Sequence, residues 1–281
     1  MEFMAIEAIG SISNNRPADH IARILADATF RLQRSVGRSA AGVKNVSPDI
    51  DPAGLAQFIK FDAQISRISA ADSNVSNAVS FSQTQDGFLG QAQSALNRMG
   101  ELSVLAQDPT KNSGDLAIYQ QEFTQLQDHL SNIGNQTFNG VNLFSSSDLP
   151  IAGDSDGTSF SLGRVNLAAS GPSGGVGDTF SGISISNPSA AATALDTVST
   201  AIENLASLRA GVGANLQRLN VTAETNSVLS ENLSAASSRL NDLDFADEST
   251  RLAGYKLAVQ SSTANLARAN SLPRSTINLL A

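Results

Sequence analysis

The feature that most constrains this chain is a seven-residue apolar repeat in its C-terminal half. The repeat forms two lattices of apolar residues: Leu195, Ile202 and Leu216 in the first, and Val198, Leu205, Val212 and Leu219 in the second. A spacing of three and four residues, sustained over about six heptads, is typical of a coiled-coil seam. No proline occurs between Pro188 and Pro273. The pattern therefore predicts a continuous helix over residues 191–240, about 50 residues and roughly 75 Å long.

Two polar residues interrupt the repeat. Arg209 stands in the first lattice and Asn226 in the second, which then continues to Leu233 and Leu240. A polar residue at a seam position often specifies the register of two helices, at some cost in stability. We therefore expect Arg209 and Asn226 to act on helix register.

The N-terminal half carries a second, less regular helical pattern. Its apolar residues recur at helical spacing: Phe58, Phe61, Ile65, Ile68, Val75, Val79, Leu89, Leu96, Met99 and Leu102. The pair Asp108-Pro109 is expected to end this helix, because the residue before a proline is disfavoured in the α region. A shorter helix is expected from about residue 113 to residue 133. Asn139-Gly140, between two apolar arms, predicts a tight β-hairpin, since both turn residues adopt positive φ.

The composition changes between these two halves. Residues 145–190 are rich in Gly, Ser, Asp and Pro, with short apolar alternations at 160–162 and 183–185. Such segments indicate short strands joined by turns, or partly flexible loops. Residues 154–157 are expected to form a turn. Residues 171–177 are expected to be a flexible loop, because they lack the spacing of a phosphate-binding loop.

Each end of the chain carries an isolated apolar stripe. The N-terminal stripe contains six residues: Ile21, Ile24, Leu25, Ala28, Leu32 and Val36. The C-terminal stripe places Leu252, Val259 and Leu266 at strict heptad spacing. Single amphipathic helices are only marginally stable in water. We therefore expect the two ends to pair with each other or with another subunit.

The composition argues against several classes of function. Eighteen basic residues against 26 acidic ones give a net charge of −8, which disfavours a nucleic-acid-binding surface. The absence of cysteine excludes disulfides, thiolate metal sites and a cysteine nucleophile. Glu2 and Glu7 stand where a secretory signal would be basic, and no apolar stretch is long enough to span a membrane. We therefore expect no membrane partner and no cleaved signal peptide.

No catalytic or metal-binding constellation emerges from the residues. The two histidines, His20 and His129, lie far apart, and each is expected to be a solvated or interfacial helix residue. The densest acidic group lacks the spacing of a calcium loop and consists of Asp242, Asp244, Asp247 and Glu248. We expect this group to cap the last helix and offset its dipole. The sequence therefore predicts a protein without a cofactor or metal, and not an enzyme.

Several motifs together resemble bacterial flagellin. They occur in the order of that family: Asp51-Pro-Ala-Gly-Leu-Ala56, Asn97-Arg-Met-Gly-Glu-Leu-Ser-Val104, Thr137-Phe-Asn-Gly-Val-Asn-Leu143, Ser238-Arg-Leu-Asn-Asp-Leu-Asp-Phe-Ala-Asp-Glu248 and Ala269-Asn-Ser-Leu-Pro-Arg-Ser-Thr-Ile-Asn-Leu-Leu280. The resemblance covers roughly 55–144 and 191–281, whereas the first 50 residues match poorly.

The resemblance implies a mainly α fold. Both chain ends would form a long coiled-coil helical rod, with a small β-hairpin and loop region in the middle. Residues 1–50 would be an N-terminal filament-core segment that pairs with 246–281, and residues 51–144 would form a helical rod and hairpin. Residues 145–190 would be a short central insert in place of large outer domains, and residues 191–245 the long rod helix.

The resemblance also implies a function. The chain would be a structural subunit that polymerises with copies of itself into the bacterial flagellar filament for swimming motility. It would leave the cell through the flagellar type III channel and act outside it, with an export chaperone and junction proteins as further partners. The expected filament-core contacts are Leu252, Val259, Leu266, Ile24 and Leu32, and the two lattices over 195–219 are the expected core of the rod.

Flagellins carry an epitope for a vertebrate innate immune receptor on their first long helix. Arg98, Glu101 and Leu102 match that epitope, whereas Asn97 and Gly100 do not. Gly100 removes a side chain and weakens the helix by about 1 kcal/mol relative to alanine. We therefore expect weakened recognition by this receptor.

Two alternatives remain open at this point. A hook–filament junction protein shares the helical ends of flagellin, although its C-terminus does not usually resemble residues 272–280. An enzyme or a glycan-binding protein built on the same scaffold would need chemistry in the insert, and residues 145–190 contain no His, no Lys and one Arg.

Overall fold

The computed structural model describes residues 16–45, 47–49, 51–163, 165–167, 176, 180 and 182–280. This part of the chain contains the helices α1 (Arg16–Ala41), α2 (Pro52–Leu105), α3 (Ser113–Gly134), α4 (Pro188–Asn241) and α5 (Phe245–Leu280). It also contains the strands β1 (Thr137–Phe138), β2 (Val141–Asn142), β3 (Leu149–Ala152) and β4 (Ser159–Leu162). The predicted mainly α fold is confirmed. The loop predicted at 171–177 lies, except for Val176, outside the described residues.

The two longest helices are those that the apolar periodicity predicts. α2 and α4 have 54 residues each. Each begins with a proline and contains no other, and the first helical position is the one where a missing N–H breaks no helical hydrogen bond. The continuous helix predicted over 191–240 and the end of α2 before Pro109 are both confirmed.

Local signals also define α3 and the hairpin that follows it. The Asn112 side chain accepts a hydrogen bond from the Asp115 N–H at 3.0 Å, and the Asp115 carboxylate accepts one from the Asn112 N–H at 3.3 Å. This reciprocal capping box starts the helix. Asn139 and Gly140 have φ values of 50° and 79°, as a tight hairpin turn requires. The predicted hairpin is confirmed as the antiparallel pair β1–β2.

Backbone contacts divide the chain into two compact units. The terminal unit consists of Met1–Asp62 and Leu233–Ala281, and the central unit consists of Ala63–Asn232. The terminal unit therefore contains α1 and α5, whereas the central unit contains α3 and the four strands. α2 and α4 contribute residues to both units.

The central unit has one continuous apolar core. Its largest fully buried side chains include Leu89, Leu96, Met99, Leu102, Phe123, Leu130, Leu143, Leu167, Ile185, Leu205 and Leu219. Small residues lie among them, with Ala92, Ala194 and Ala201 fully buried. Alternation of large and small side chains lets facing helices interdigitate at high packing density.

The region between α3 and α4 follows the sequence prediction only in part. β4 covers the predicted strand at 160–162 and pairs antiparallel with β3. The alternation at 183–185 does not form a strand, so of the two predicted alternatives it follows the loop. The backbone of this segment forms hydrogen bonds with side chains of α3 in place of a neighbouring strand. The Gln120 carboxamide accepts from the Ile185 N–H at 2.6 Å, and Gln127 donates to the Ile183 carbonyl at 3.2 Å.

In the terminal unit, α1 packs against α5. Gly42, with φ 70°, ends α1 in the left-handed conformation that favours glycine. Its carbonyl accepts from the Leu243 N–H at 3.2 Å, and Val43 forms an antiparallel bridge with Asp242. Asp244 accepts from the N–H groups of Ala246 and Asp247 at 2.9 and 3.2 Å, which confirms the predicted acidic cap of the last helix.

None of the helices in the described part of the chain combines the length and the apolar character that a membrane crossing needs.

Candidate functional site in the terminal helical pair

The seam between α1 and α5 follows a three-four spacing on both helices. On α1 the buried and half-buried stripe consists of Ala18, Ile21, Leu25, Ala28, Leu32 and Ser35. On α5 it consists of Glu248, Leu252, Tyr255, Val259, Ser262, Leu266 and Ala269. This is the spacing of a coiled coil. The fully buried members are small or polar, and the large apolar members are half-buried.

The outer side of the pair exposes large apolar side chains. Ile24 and Phe30 of α1 are 46% and 55% exposed, and Leu257 of α5 is 66% exposed. Val36 and Phe245 are exposed to a similar degree. The terminal unit therefore leaves uncovered the apolar groups whose burial would contribute most to its stability.

The residues predicted as filament-core contacts fall into two groups. Leu252, Val259, Leu266 and Leu32 are half-buried on the seam, whereas Ile24 is exposed on the outer side. The sequence analysis did not include Phe30 or Leu257, which are the more exposed apolar residues. The sequence does contain a signal for them, because both are large apolar residues at positions outside the heptad spacing of the seam.

The pair also contains polar groups near the end of α1. Glu248 and Ser35 are buried and line a cavity of about 340 Å³ together with Phe30, Arg38 and Tyr255. Within the described chain, the Ser35 hydroxyl and the Arg38 Nε have no hydrogen-bond partner. Buried polar atoms of this kind lower the stability of the isolated pair, because their lost hydration is not replaced.

Two exposed ion pairs flank this cavity. Arg31 pairs with Asp27 at 2.9 Å, and Arg34 pairs with Asp49 at 2.9 Å. The Arg34 guanidinium also lies 5.1 Å from the centre of the Phe30 ring. Solvent-exposed pairs of this kind contribute little to stability.

Charge is distributed unevenly between the two units. The terminal unit carries 12 Lys and Arg against 11 Asp and Glu, whereas the central unit carries 6 against 15. The net charges are therefore +1 and −9. Electrostatic repulsion between copies would arise mainly between their central units, because only that unit has a large excess of charge of one sign.

In the central unit, the two predicted lattices of α4 are buried to different depths. Val198, Leu205, Val212 and Leu219 are fully buried, whereas Leu195, Ile202 and Leu216 are half-buried. The structure places Ala191, Ala194 and Ala201 beside the deeper lattice, fully buried. The sequence analysis missed these alanines, because small residues give a weak apolar signal.

The two polar interruptions of the repeat make different contacts. Arg209 donates to both carboxylate oxygens of Asp86 on α2, at 2.9 and 3.2 Å, and to the Gln93 carboxamide at 2.7 Å. Its carboxylate neighbour raises the pKa of Arg209. Asn226 is buried and donates to the Gly153 carbonyl at 2.8 Å. Arg209 thus connects two helices, and Asn226 connects a helix to the segment between β3 and β4.

The three residues that match the receptor epitope also lie in the central unit. Arg98 donates to both carboxylate oxygens of Glu122 on α3, at 2.7 and 3.2 Å, and to Glu101 at 2.8 Å. The hydrogen bond from Arg98 lowers the pKa of Glu122. Arg98 and Glu101 are exposed, whereas Leu102 is fully buried in the core.

The residues considered for other chemistry lie apart. His20 and His129 are both exposed on their helices. Asp247 pairs with Arg251 at 2.9 Å. Asp154 accepts from the N–H groups of Asp156 and Thr158 at 3.0 and 2.8 Å, which confirms the predicted turn at 154–157. These hydrogen bonds lower the pKa of Asp154, with the bonds from Thr158 as the largest cause.

Known proteins resemble this chain over nearly its whole length. The family profile of the bacterial flagellin N-terminal helical region matches residues 12–148, and that of the C-terminal helical region matches residues 195–280. The flagellar filament 33 kDa core protein of Treponema phagedenis is 30% identical over 285 residues, which cover 96% of this chain and 99% of that protein. The flagellin of Bacillus subtilis is 29% identical over 301 residues, with the same coverage.

A solved structure shares the fold. A flagellar hook-associated protein from Vibrio parahaemolyticus superposes with a TM-score of 0.59 at 12% identity, over 69% of this chain and 100% of that chain. The family match begins at residue 12 and so includes most of the first 50 residues; the divergence of this segment from the family stays a prediction. Two profiles and relatives of nearly equal length agree: this chain belongs to the bacterial flagellin family.

Proposed function

We propose that copies of this chain polymerise through the outer side of the terminal helical pair. The general role follows from the family: the chain is a structural subunit of the bacterial flagellar filament, an extracellular assembly that serves motility. The proposal concerns which residues carry assembly.

The observation that carries the proposal is the position of the large apolar side chains. Phe30, Ile24 and Leu257 are exposed, whereas the apolar residues of the α1–α5 seam are buried or half-buried. Burial of one large apolar side chain contributes about 1.5–3 kcal/mol. Contact with another copy would therefore add a source of stability that the contact between α1 and α5 does not supply.

Assembly of this kind needs no bound cofactor. Each copy presents one apolar surface to a different surface of the next copy, and such heterologous contacts give an open helical polymer when the rotation does not close. The apolar gain must exceed the cost of ordering the chain ends and of immobilising a subunit.

This proposal assigns two different roles to the residues predicted as filament-core contacts. Leu252, Val259, Leu266 and Leu32 hold α1 against α5, and they contribute to assembly by keeping the pair formed. Ile24 contacts a neighbouring copy directly, together with Phe30 and Leu257. The half-buried state of the first group and the exposure of the second support this division.

Export and the remaining partners are part of the same proposal. The subunit leaves through the flagellar type III channel without a cleaved signal peptide. An export chaperone covers the exposed apolar groups of the terminal pair before assembly, and junction proteins contact the end of the filament. The exposure of Ile24, Phe30 and Leu257 supports a chaperone, because an uncovered apolar surface favours aggregation.

We propose weakened recognition by the vertebrate innate immune receptor. Arg98 and Glu101 are accessible but engaged in ion pairs, and Leu102 packs in the core. Gly100 presents no side chain beside them. Reporter cells that respond to this protein as strongly as to a flagellin with the intact motif would contradict the proposal.

Elongation of short filament seeds tests the assembly surface. The outer variant Ile24→Ser/Phe30→Ser/Leu257→Ser is compared with Gln33→Ser/Gln260→Ser, whose positions are exposed on the same two helices. We expect the glutamine variant to extend seeds as the unchanged protein does, and the outer variant to stop. Circular dichroism should show the same melting of the central unit in both.

Two results would contradict the assignment. Elongation by the outer variant at the rate of the glutamine variant would exclude these three residues as assembly contacts. Unchanged protein that binds seed ends without extending them would favour the junction protein over the filament subunit.

A further inference from the structure

The segment between β3 and β4 lies across both long helices of the central unit. We call residues 152–163 the clasp. Its carbonyl groups accept hydrogen bonds from α2 and from α4. β4, which lies within the clasp, pairs with β3 from Leu149–Leu162 to Ala152–Ser159. This paired segment is part of the region that the sequence predicts as a loop-rich insert.

From the α2 side, two side chains contact the clasp backbone. Arg67 donates through Nε to the Ser155 carbonyl at 2.8 Å, and Asn74 donates to the Ala152 carbonyl at 3.2 Å. Ser155 is buried by this contact, with 6% of its surface exposed.

From the α4 side, three side chains contact it. Asn226 donates to the Gly153 carbonyl at 2.8 Å, and Asn215 donates to the Gly163 carbonyl at 3.3 Å. Arg218 lies 4.5 Å above the Phe160 ring. Donors from both helices thus converge on one short stretch of main chain.

The clasp lies where the apolar core becomes thin. From residue 220 to residue 232 of α4, a stretch that the structure describes in full, Asn226 is the only buried residue. Leu219 is the last apolar residue of α4 in the core of the central unit. Beyond it on α4, the buried contact of this stretch is the hydrogen bond from Asn226 to the clasp.

Recognition depends on the main chain of the clasp rather than on most of its side chains. Thr158, Ser159 and Ser161 are exposed. Gly153 is the exception, because a Cβ there would lie 2.6 Å from the Phe160 ring and 3.4 Å from Thr222. These four carbonyl contacts therefore tolerate changes of sequence in the clasp, provided that its backbone can approach the helices.

We propose that residues 152–158 of the clasp are a releasable strap, which holds this part of α2 and α4 together and opens while Leu162 and the rest of the apolar core stay folded. The physical reason is the different cost of the two openings. Exchanging a few hydrogen bonds for bonds to water costs little net free energy, whereas opening the core exposes large apolar side chains. The proposal concerns the central unit alone and does not depend on polymerisation.

Hydrogen exchange on the full chain, followed by mass spectrometry, tests the proposal. The variant Asn226→Ala removes the buried donor, and Asn232→Ala is the matched control, because Asn232 is exposed on the same helix and the gain in helix propensity is the same. We expect Asn226→Ala to speed exchange at least ten-fold in 152–158, with no change in 89–102 or 198–212. The control should exchange as the unchanged protein does.

Two further variants separate main-chain recognition from side-chain recognition. Ser159→Ala/Ser161→Ala keeps every carbonyl contact and should leave exchange of the clasp unchanged, whereas Gly153→Ala should speed it. If Asn226→Ala fails to fold, exchange of the unchanged protein in low urea provides the same test, because an independent strap opens with a smaller urea dependence than the core. Equal urea dependence of clasp and core, or equal exchange in the two asparagine variants, would overturn the proposal.

Discussion

The two units of this flagellin bury their large apolar side chains to different depths. The central unit buries Phe123, Leu89 and Met99 completely, whereas the most buried residues of the terminal helical pair are small or polar and several of its large apolar groups are exposed. The central unit can therefore stabilise itself by burying apolar surface within one chain. The terminal unit leaves part of its apolar surface exposed, and we propose that a second copy covers it.

The net charges of the two units also differ. The central unit has a net charge of −9 and the terminal unit of +1. Close packing of identical copies penalises a large charge of one sign, because it brings like charges together. The nearly neutral unit is thus the one whose surface suits contact between copies, and the acidic unit suits exposure to water.

The largest expected effect is a difference in stability loss when a phenylalanine is replaced in one unit or in the other. Phe123→Ala in the central core should lower the free energy of unfolding by about 3–5 kcal/mol, because a fully buried ring leaves a cavity. Phe30→Ala, at a position 55% exposed, should change monomer unfolding by less than about 0.5 kcal/mol. Urea unfolding followed by circular dichroism measures both. Equal losses would remove the distinction between the units.

A second prediction sharpens the description of the central core. Ala201 is fully buried and Ala206 on the same helix is exposed. Ala201→Leu should destabilise the central unit by about 1–3 kcal/mol through overpacking, and Ala206→Leu should have almost no effect. Thermal unfolding of the two variants provides the measurement. An Ala201→Leu protein as stable as the control would show that the buried alanines do not limit the approach of the helices.

The smallest expected effect concerns the ion pair of Arg98 and Glu122. Arg98 lowers the pKa of Glu122 below its ordinary 4.5, so the pair contributes stability above that pH and loses it as the pH falls through the lowered pKa. The Glu122 side chain is 40% exposed, which limits the contribution to under about 1 kcal/mol.

NMR titration of the Glu122 carboxyl group measures this effect directly. We expect a midpoint below 4.5 that rises in Arg98→Met and stays unchanged in Arg218→Met, a variant on another helix. A Glu122 midpoint that does not respond to Arg98→Met would exclude the ion pair as the cause.

Much of the fold could be predicted because its signals are local. The heptads of α4, the capping box at Asn112 and the turn at Asn139-Gly140 act over a few residues each. The choice between strand and loop at 183–185 could not be predicted, for the complementary reason. Whether an apolar alternation pairs with a strand depends on its neighbours, and here Gln120 and Gln127 of α3 take the backbone hydrogen bonds.

The candidate site shows the same division. The stripes of Leu252, Val259 and Leu266 indicated a helical seam, but not which apolar residues remain outside it. Phe30 and Leu257 became candidates only when the pairing of α1 with α5 assigned a buried side and an exposed side to each helix.

The sequence by itself determined the helical periodicity, the breaks at glycine and proline, the acidic balance and the motifs of the family. Each of these depends on residue type and on spacing within one element. Only the tertiary structure decided the role of Asn226, which the repeat presents as a seam residue and which instead binds the Gly153 carbonyl. The physical reason is that a buried amide takes whichever hydrogen-bond acceptor the fold brings near, and the sequence spacing does not specify that acceptor.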